Sequence, residues 1–245
     1  MALQEQFESQ GNYLFKRRGY LPILVILMGM GVFSYYAWME EVYPPEWYKF
    51  ICLFVCLLGL FFRILTVGFT PVDTSGRNTE HQDAEVLNTK GIYSTIRHPL
   101  YFGNFFMFFG IAMLTYNLWF VAFFFTLYWF YYERIMFAEE QFLRRKFGQE
   151  YLDWADKTPA IIPKFGQWTS SNMAFSMRKI LKKEKNGFFA IFLLIFLFEL
   201  LGEFISGNPL FSNEWIVYSA IISGALYLIL KTIKHNTRWL DEKGR

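Results

Sequence analysis

Six long apolar runs limit this chain more than any other feature. They cover roughly residues 20–38, 50–69, 99–115, 118–133, 187–206 and 214–231. A helix needs about 20 mostly apolar residues to cross a bilayer, and a large soluble core does not require so many unbroken blocks. Composition agrees: 54% of the residues are hydrophobic and 18% charged, against about 25% charged in an ordinary soluble domain. The expected fold is an all-α integral membrane protein with about six transmembrane helices. Lys16, Arg17 and Arg18 precede the first run, but no small-residue cleavage site follows at the usual distance, so that run is read as a retained helix.

Basic residues set the expected topology. With the N-terminus inside, the inner segments hold Lys16, Arg17, Arg18, Arg77, Lys90, Arg97, the many Lys and Arg of 134–185, and five more after residue 230. The outer segments 39–49, 116–117 and 207–213 hold only Lys49, with Glu40, Glu41 and Glu46 on the same side. This is the positive-inside asymmetry. The net charge of +3 is thereby a topology signal, and no basic face with stacking aromatics points to nucleic acid. Cys52 and Cys56 lie one helical turn apart and read as small apolar residues; with three His in the chain, no metal centre is expected.

Three units are expected: an N-terminal hairpin (1–69), a core (70–165), and a basic linker with a C-terminal hairpin (166–245). Pro44 and Pro45 break the first hairpin. The segment 70–97 is read as an ordered cytoplasmic loop. After the fourth run, Leu143, Phe147, Tyr151 and Trp154 recur at helical spacing, which predicts an amphipathic helix at the inner surface. Residues 164–186, with MRKILKKEK, are expected to lie on the anionic leaflet.

Chemistry concentrates in GIYSTIRHPLYFGN, residues 91–104. Pro99 suits the first position of a helix, and His98 then falls near its N-cap. The helix start offers free N–H groups and the positive end of a dipole, a ready anion site, to which Arg97 adds a charge. Gly103 permits close approach to the first turn, and Tyr93 and Tyr101 supply rings and hydroxyls. The plainer reading makes Arg97 and His98 interfacial anchors and the Tyr residues belt decoration. Glu139 and Glu140 lie near the apolar stripe of the surface helix, where a carboxylate is costly unless paired; spacing alone does not choose between them, and a surface ion pair with Arg144 or Arg145 is the alternative. Arg63 is expected to snorkel. Glu199 and Glu203 either reach the outer interface or line a cavity.

The pattern G-I-Y-x-x-x-R-H-P-x-Y-x-G-N, then a helical hairpin, then E-E-x-x-L-x-x-x-F-G-x-x-Y-x-x-W and I-P, resembles the isoprenylcysteine carboxyl methyltransferase and phospholipid methyltransferase superfamily. The likeness covers roughly 70–165, and TSGRNT (74–79) and LNT (87–89) resemble bacterial members. It implies a membrane methyltransferase using S-adenosylmethionine, with the cofactor held between a cytoplasmic loop and the surface helix. The residues carried over are Asn78, Glu85, Val86, Leu87, Asn88, Tyr93, His98, Pro99, Leu100, Tyr101 and Glu139, the last favoured over Glu140 by counting back from Phe147-Gly148. Members acting on prenylcysteine carry an Arg where this chain has Ile135, with Arg134 beside it. Arg97 or Arg134 is the expected orienting group for an anionic headgroup. The resemblance further implies a lipid-like acceptor from the bilayer and a bacterial inner membrane location; together with the basic asymmetry, the expectation is that both termini and the cofactor site are cytoplasmic. A sterol-reductase type enzyme using NADPH and a non-catalytic scaffold are the rival readings.

Overall fold

The computed structural model describes residues 2–71, 84–242 and 244. Its helices are α1 (Leu3–Lys16), α2 (Tyr20–Glu40), α3 (Glu46–Gly68), α4 (Pro99–Met113), α5 (Leu118–Phe147), α6 (Gln149–Ala155), α7 (Met177–Ser206) and α8 (Glu214–Asn236). The chain is an all-α membrane protein. Among the described residues, four helical stretches are long and apolar enough to cross a membrane: 22–40, 46–68, 177–206 and 214–236. All six apolar runs are helical, but α4 has 15 residues, fewer than the about 20 that an upright span needs.

Helix α4 lies at the centre. It has no polar face because both of its sides are covered. Tyr101, Phe105 and Ala112 join one core with Phe15, Val25, Phe124 and Tyr132. Met107, Ile111 and Leu114 join a second core with Cys52, Cys56, Ile191 and Ile216. Small residues let α3 and α4 approach closely, as expected where packing must come from van der Waals contact. A Cβ on Gly110 would sit 2.5 Å from Cys56 Sγ, and one on Gly103 would sit 2.7 Å from Arg63 Cγ and 2.8 Å from the Gly59 carbonyl oxygen. The expected close approach at Gly103 is therefore made by α3. Cys52 and Cys56 are fully buried, in keeping with their reading as small apolar residues. A side chain at Gly59 would collide with the Gly103 carbonyl and the Met107 backbone. Gly59→Leu is expected to cost about 1–3 kcal/mol by overpacking, read as reduced resistance to reversible unfolding in micelles.

Three expectations are corrected. First, the amphipathic piece that continues the fourth run does not reach Pro159 as one helix: α5 runs on to Phe147, 30 residues, or about 45 Å at 1.5 Å per residue. It ends at Gly148, whose φ of 54° is readily adopted only by glycine, and only the short α6 follows. The charged lower half of α5 stays helical because α1 runs along it. Gly11 abuts the Arg134 carbonyl and Ala138, Tyr131 Oη donates to the Leu14 carbonyl at 3.0 Å, and Arg145 pairs with Glu8. Second, MRKILKKEK is the start of α7. Lys179, Glu184 and Lys185 are buried, and Lys179 Nζ donates to the Thr70 and Pro71 carbonyls at 2.6 and 2.9 Å. Third, Arg63 does not snorkel. It forks onto Glu184 at 2.7 and 2.8 Å and donates to Asn104 Oδ1 at 2.6 Å, tying α3, α4 and α7 together inside the bundle.

Glu199 and Glu203 line a cavity of about 140 Å³ with Lys49. Lys49 pairs with Glu199 at 2.6 Å, while Glu203 accepts from the backbone N–H groups of Phe211 and Ser212, closing the α7–α8 turn.

Candidate active site

The site is built at the start of α4. Gly91 turns the chain at φ 61°, a conformation favouring glycine. A short 3-10 turn, Ile92–Ser94, follows. The segment after α6 straps this stretch down: Gly91 N–H donates to the Thr169 carbonyl at 2.8 Å, Lys164 N–H to Thr95 at 2.9 Å, and Arg97 N–H to Pro159 at 2.9 Å. Trp154 Nε1 donates to the Tyr93 carbonyl. As the sequence predicts, α4 begins at Pro99 with His98 as N-cap, and no side chain caps its first turn.

The His98 imidazole instead turns onto α5. Its Nε2 lies 2.9 Å from Glu140 Oε1, and its Nδ1 lies 3.7 Å from Glu139 Oε2. An ionised carboxylate only accepts, so Nε2 carries the proton in the bond to Glu140. Tyr101 Oη donates to Glu139 Oε1 at 2.6 Å, and Arg97 Nε stands 3.3 Å from Glu140 Oε1. The positive helix start thus meets two carboxylates of the same chain, a favourable arrangement with the dipole. These carboxylates lie one residue apart on α5, beyond its apolar stretch, and differ in character. Burial pushes the Glu139 carboxyl up, against the pull of His98 and the Tyr101 hydrogen bond. Burial also opposes ionisation of Glu140, but the hydrogen bond and charge of His98, with Arg97, outweigh it and hold that carboxyl below its ordinary value.

Behind Tyr101 stands an aromatic wall. Tyr132 lies 4.9 Å from the Tyr101 ring and 4.3 Å from Tyr128, and Tyr128 Oη donates to the Tyr101 carbonyl at 2.7 Å. From this wall a narrow apolar groove runs between α2, α4 and α5, lined by Pro22, Val25, Ala112, Phe124, Tyr128 and Tyr132 among others. Beside the cluster, Arg97 Nε makes only the 3.3 Å ion pair with Glu140, Tyr151 faces Glu140 and Arg97, and Gln167 Oε1 is a buried atom without a hydrogen-bond partner among the described residues. Buried polar atoms normally find partners, so this set suits a polar ligand.

Of the residues singled out from sequence, His98, Pro99, Tyr101 and Glu139 meet here. Tyr93 is near enough for the Glu139 charge, with burial, to push its phenol up. Arg97 and Glu140 are also brought in. Leu100 and Asn88 are half-buried, Leu87 is buried, and Glu85 and Val86 are exposed. Asn78 lies outside the described residues. Arg134 is turned to α1, its guanidinium 3.6 Å from the Phe7 ring centroid and its Nη1 3.1 Å from Glu133. Sequence reasoning missed Arg18. It was read as a topology charge, yet its Nη1 donates to Tyr101 Oη at 3.5 Å and stands 4.0 Å from Glu139 Oε1. No local signal marks it, because α1 and α2 bring it in only once they pack on α5.

Comparison with known proteins converges on the same region. A family model for phospholipid methyltransferases matches residues 47–150. The protein-S-isoprenylcysteine O-methyltransferase of Tribolium castaneum is 29% identical over 134 residues, 53% of this chain and 45% of that protein. The enzyme of the same name from Schizosaccharomyces pombe is 31% identical over 123 residues, 50% of each chain. A probable one from Oryza sativa subsp. indica is 35% identical over 119 residues, 45% of this chain and 62% of that one. The chain spans about half the length of the curated relatives it matches. No solved structure matches significantly.

Proposed function

From the match of residues 47–150 to the phospholipid methyltransferase family model and the likeness to isoprenylcysteine O-methyltransferases, we propose that the chain is a member of that superfamily, an S-adenosylmethionine-dependent methyltransferase acting on a lipid-like acceptor. The observation that carries the reading is the half-buried His98–Glu140 and Tyr101–Glu139 cluster at the head of α4. Glu139 takes a ribose hydroxyl or the cationic end of the cofactor. Its partly apolar surroundings suit a ligand with a positive centre, and Arg97 and Tyr151 beside Glu140 offer donors to its polar groups. Tyr93 and Tyr101 give ring faces for the purine. When bound, S-adenosylmethionine supplies an electrophilic methyl on a sulfonium that is already a good leaving group. The protein's part is then alignment and exclusion of water. His98 holds Glu140 and, through it, Arg97; Tyr101 holds Glu139; and the strap 157–169 fixes the loop against α4.

The apolar groove that Tyr132 helps to line supports an acceptor that arrives from the bilayer with its tail among α2, α4 and α5. A carboxylate acceptor needs no general base, whereas an amine must first be neutral. Of the two orienting cations expected from the sequence, Arg97 stands at the cluster beside Glu140, whereas Arg134 is turned to Phe7 on α1. The basic asymmetry supports a cytoplasmic site and cytoplasmic termini. Equilibrium binding to the purified full chain tests the reading: micromolar binding of S-adenosylhomocysteine without NADPH binding is expected. NADPH binding alone makes the protein a reductase, and binding of neither makes it a scaffold.

A further inference from the structure

Arg18 stands beside the polar cluster and just ahead of α2, a helix that helps to line the apolar groove. On one side it reaches Tyr101 Oη at 3.5 Å and Glu139 at 4.0 Å. On the other, α2 starts two residues later and contributes Pro22 and Val25 to the groove wall. Its guanidinium carbon lies 4.1 Å from the Phe15 ring centroid, which fixes the plane of the fork, and Tyr132 of the groove lies within reach of its charge. The side chain is 21% exposed, so it is neither sealed in the core nor free in solvent. The other nearby cations are engaged differently. Arg97 stands on the loop side against Glu140, and Arg134 faces Phe7, while the fully buried Ile135 carries no charge.

An apolar groove with a guanidinium near one of its lining residues, Tyr132, suits a molecule with an apolar tail and an anionic head. An anion drawn to that depth needs a partner to offset its desolvation. A guanidinium provides five N–H donors in a fixed fork that matches carboxylate and phosphate oxygens in pairs, so it can hold such a group while still bridging toward Glu139. We propose that Arg18 is the acceptor-binding residue of this protein: it anchors a carboxylate or phosphate oxyanion of the lipid-like acceptor next to the α2–α4–α5 groove, beside the cofactor carboxylate Glu139. The proposal rests on the methyltransferase reading and narrows its acceptor to an oxyanion-bearing amphiphile. It also gives the α1–α2 junction, which precedes the matched residues 47–150, a direct part in selecting that acceptor.

The test uses the full chain in detergent with S-adenosylhomocysteine present, and three acceptor probes. These are an S-prenylated N-acetylcysteine, its neutral carboxamide, and phosphatidylethanolamine. Binding is measured for each, with initial methylation rates alongside under S-adenosylmethionine. The wild type is expected to bind either the carboxylate or the phosphate probe at least tenfold more tightly than the carboxamide, and the preferred probe identifies the headgroup class. Arg18→Met is expected to weaken the preferred probe about 10- to 100-fold, the loss of a charge-assisted hydrogen bond, with carboxamide and S-adenosylhomocysteine affinities within about twofold of wild type. Arg18→Lys keeps the charge without the fork and is expected to fall between. Arg17→Met, which removes a guanidinium stacked on Tyr13, reports folding at the same junction and leaves all affinities unchanged. The inference is overturned if the wild type shows no preference for an oxyanion, if Arg18→Met keeps that preference, or if its main effect falls on S-adenosylhomocysteine. Oxyanion preference lost in Arg18→Met without any methyl transfer leaves the anchor standing and sinks the methyltransferase reading instead.

Discussion

Replacing Glu139 with glutamine is expected to weaken S-adenosylhomocysteine binding about 10- to 100-fold, the range for losing a hydrogen bond to a charged group. The variant keeps the size of the side chain, and its amide oxygen can still accept from Tyr101, which now donates to Oε1 at 2.6 Å. What disappears is the buried negative charge beside His98. Because burial pushes the Glu139 carboxyl up, a negative charge at this position is costly to the protein on its own. A cationic ligand would contribute to offsetting that cost. Titration calorimetry on the purified chain reads the effect. Unchanged affinity in Glu139→Gln would move the cofactor elsewhere, with Glu140 the first place to look. His98→Ala is the companion variant. It strips Glu140 of its 2.9 Å partner and leaves Arg97 as that carboxylate's remaining ion-pair partner, so it is expected to lower affinity and loosen the loop together.

The largest stability effect is expected at Arg63. Arg63→Met leaves Glu184, 4% exposed, as a buried carboxylate without its forked partner and removes the donor to Asn104. Breaking one side of a buried ion pair typically costs about 3–5 kcal/mol. The double variant Arg63→Met, Glu184→Leu removes both charges, and it is expected to recover most of that loss, since buried pairs replaced by apolar groups are often neutral. Reversible unfolding in mixed micelles, arranged as a double-mutant cycle, measures the coupling. Additive losses would mean that the pair contributes nothing as a pair. The consequence also reaches the site: Asn104 lies one turn beyond Tyr101 on α4, so the clamp carries α7, which lies outside the matched segment, onto the helix that presents His98.

Much of this was legible from local chemistry. Every apolar run became a helix, and Pro99 opened α4 with His98 at its N-cap because a proline at the first helical position has no N–H to lose. What local pattern does not encode is the partner that arrives from far along the chain. Arg63 read as a snorkelling cation because Glu184 stands 121 residues away. The lower half of α5 read as a surface helix because its charged residues meet α1, as in the Arg145–Glu8 pair. Gly103 read as room for a ligand, yet α3 fills that room at Gly59. The site divides in the same way. His98, Tyr101 and Glu139 stood out from motif and spacing. Glu140 was left as an alternative but holds the imidazole, and Arg18 carried no signal because only the α1–α5 packing brings it to Tyr101.

Methyl transfer itself tests the central claim most directly. The full chain is reconstituted with total membrane lipid extract and S-adenosylmethionine carrying a tritiated methyl group, and the organic phase is separated and its labelled species identified. The wild type is expected to deposit label in a discrete lipid-like product, and Glu139→Gln in parallel is expected to lose most of it. Absence of labelled product from wild-type protein that binds S-adenosylhomocysteine, or wild-type labelling by Glu139→Gln, would contradict the account.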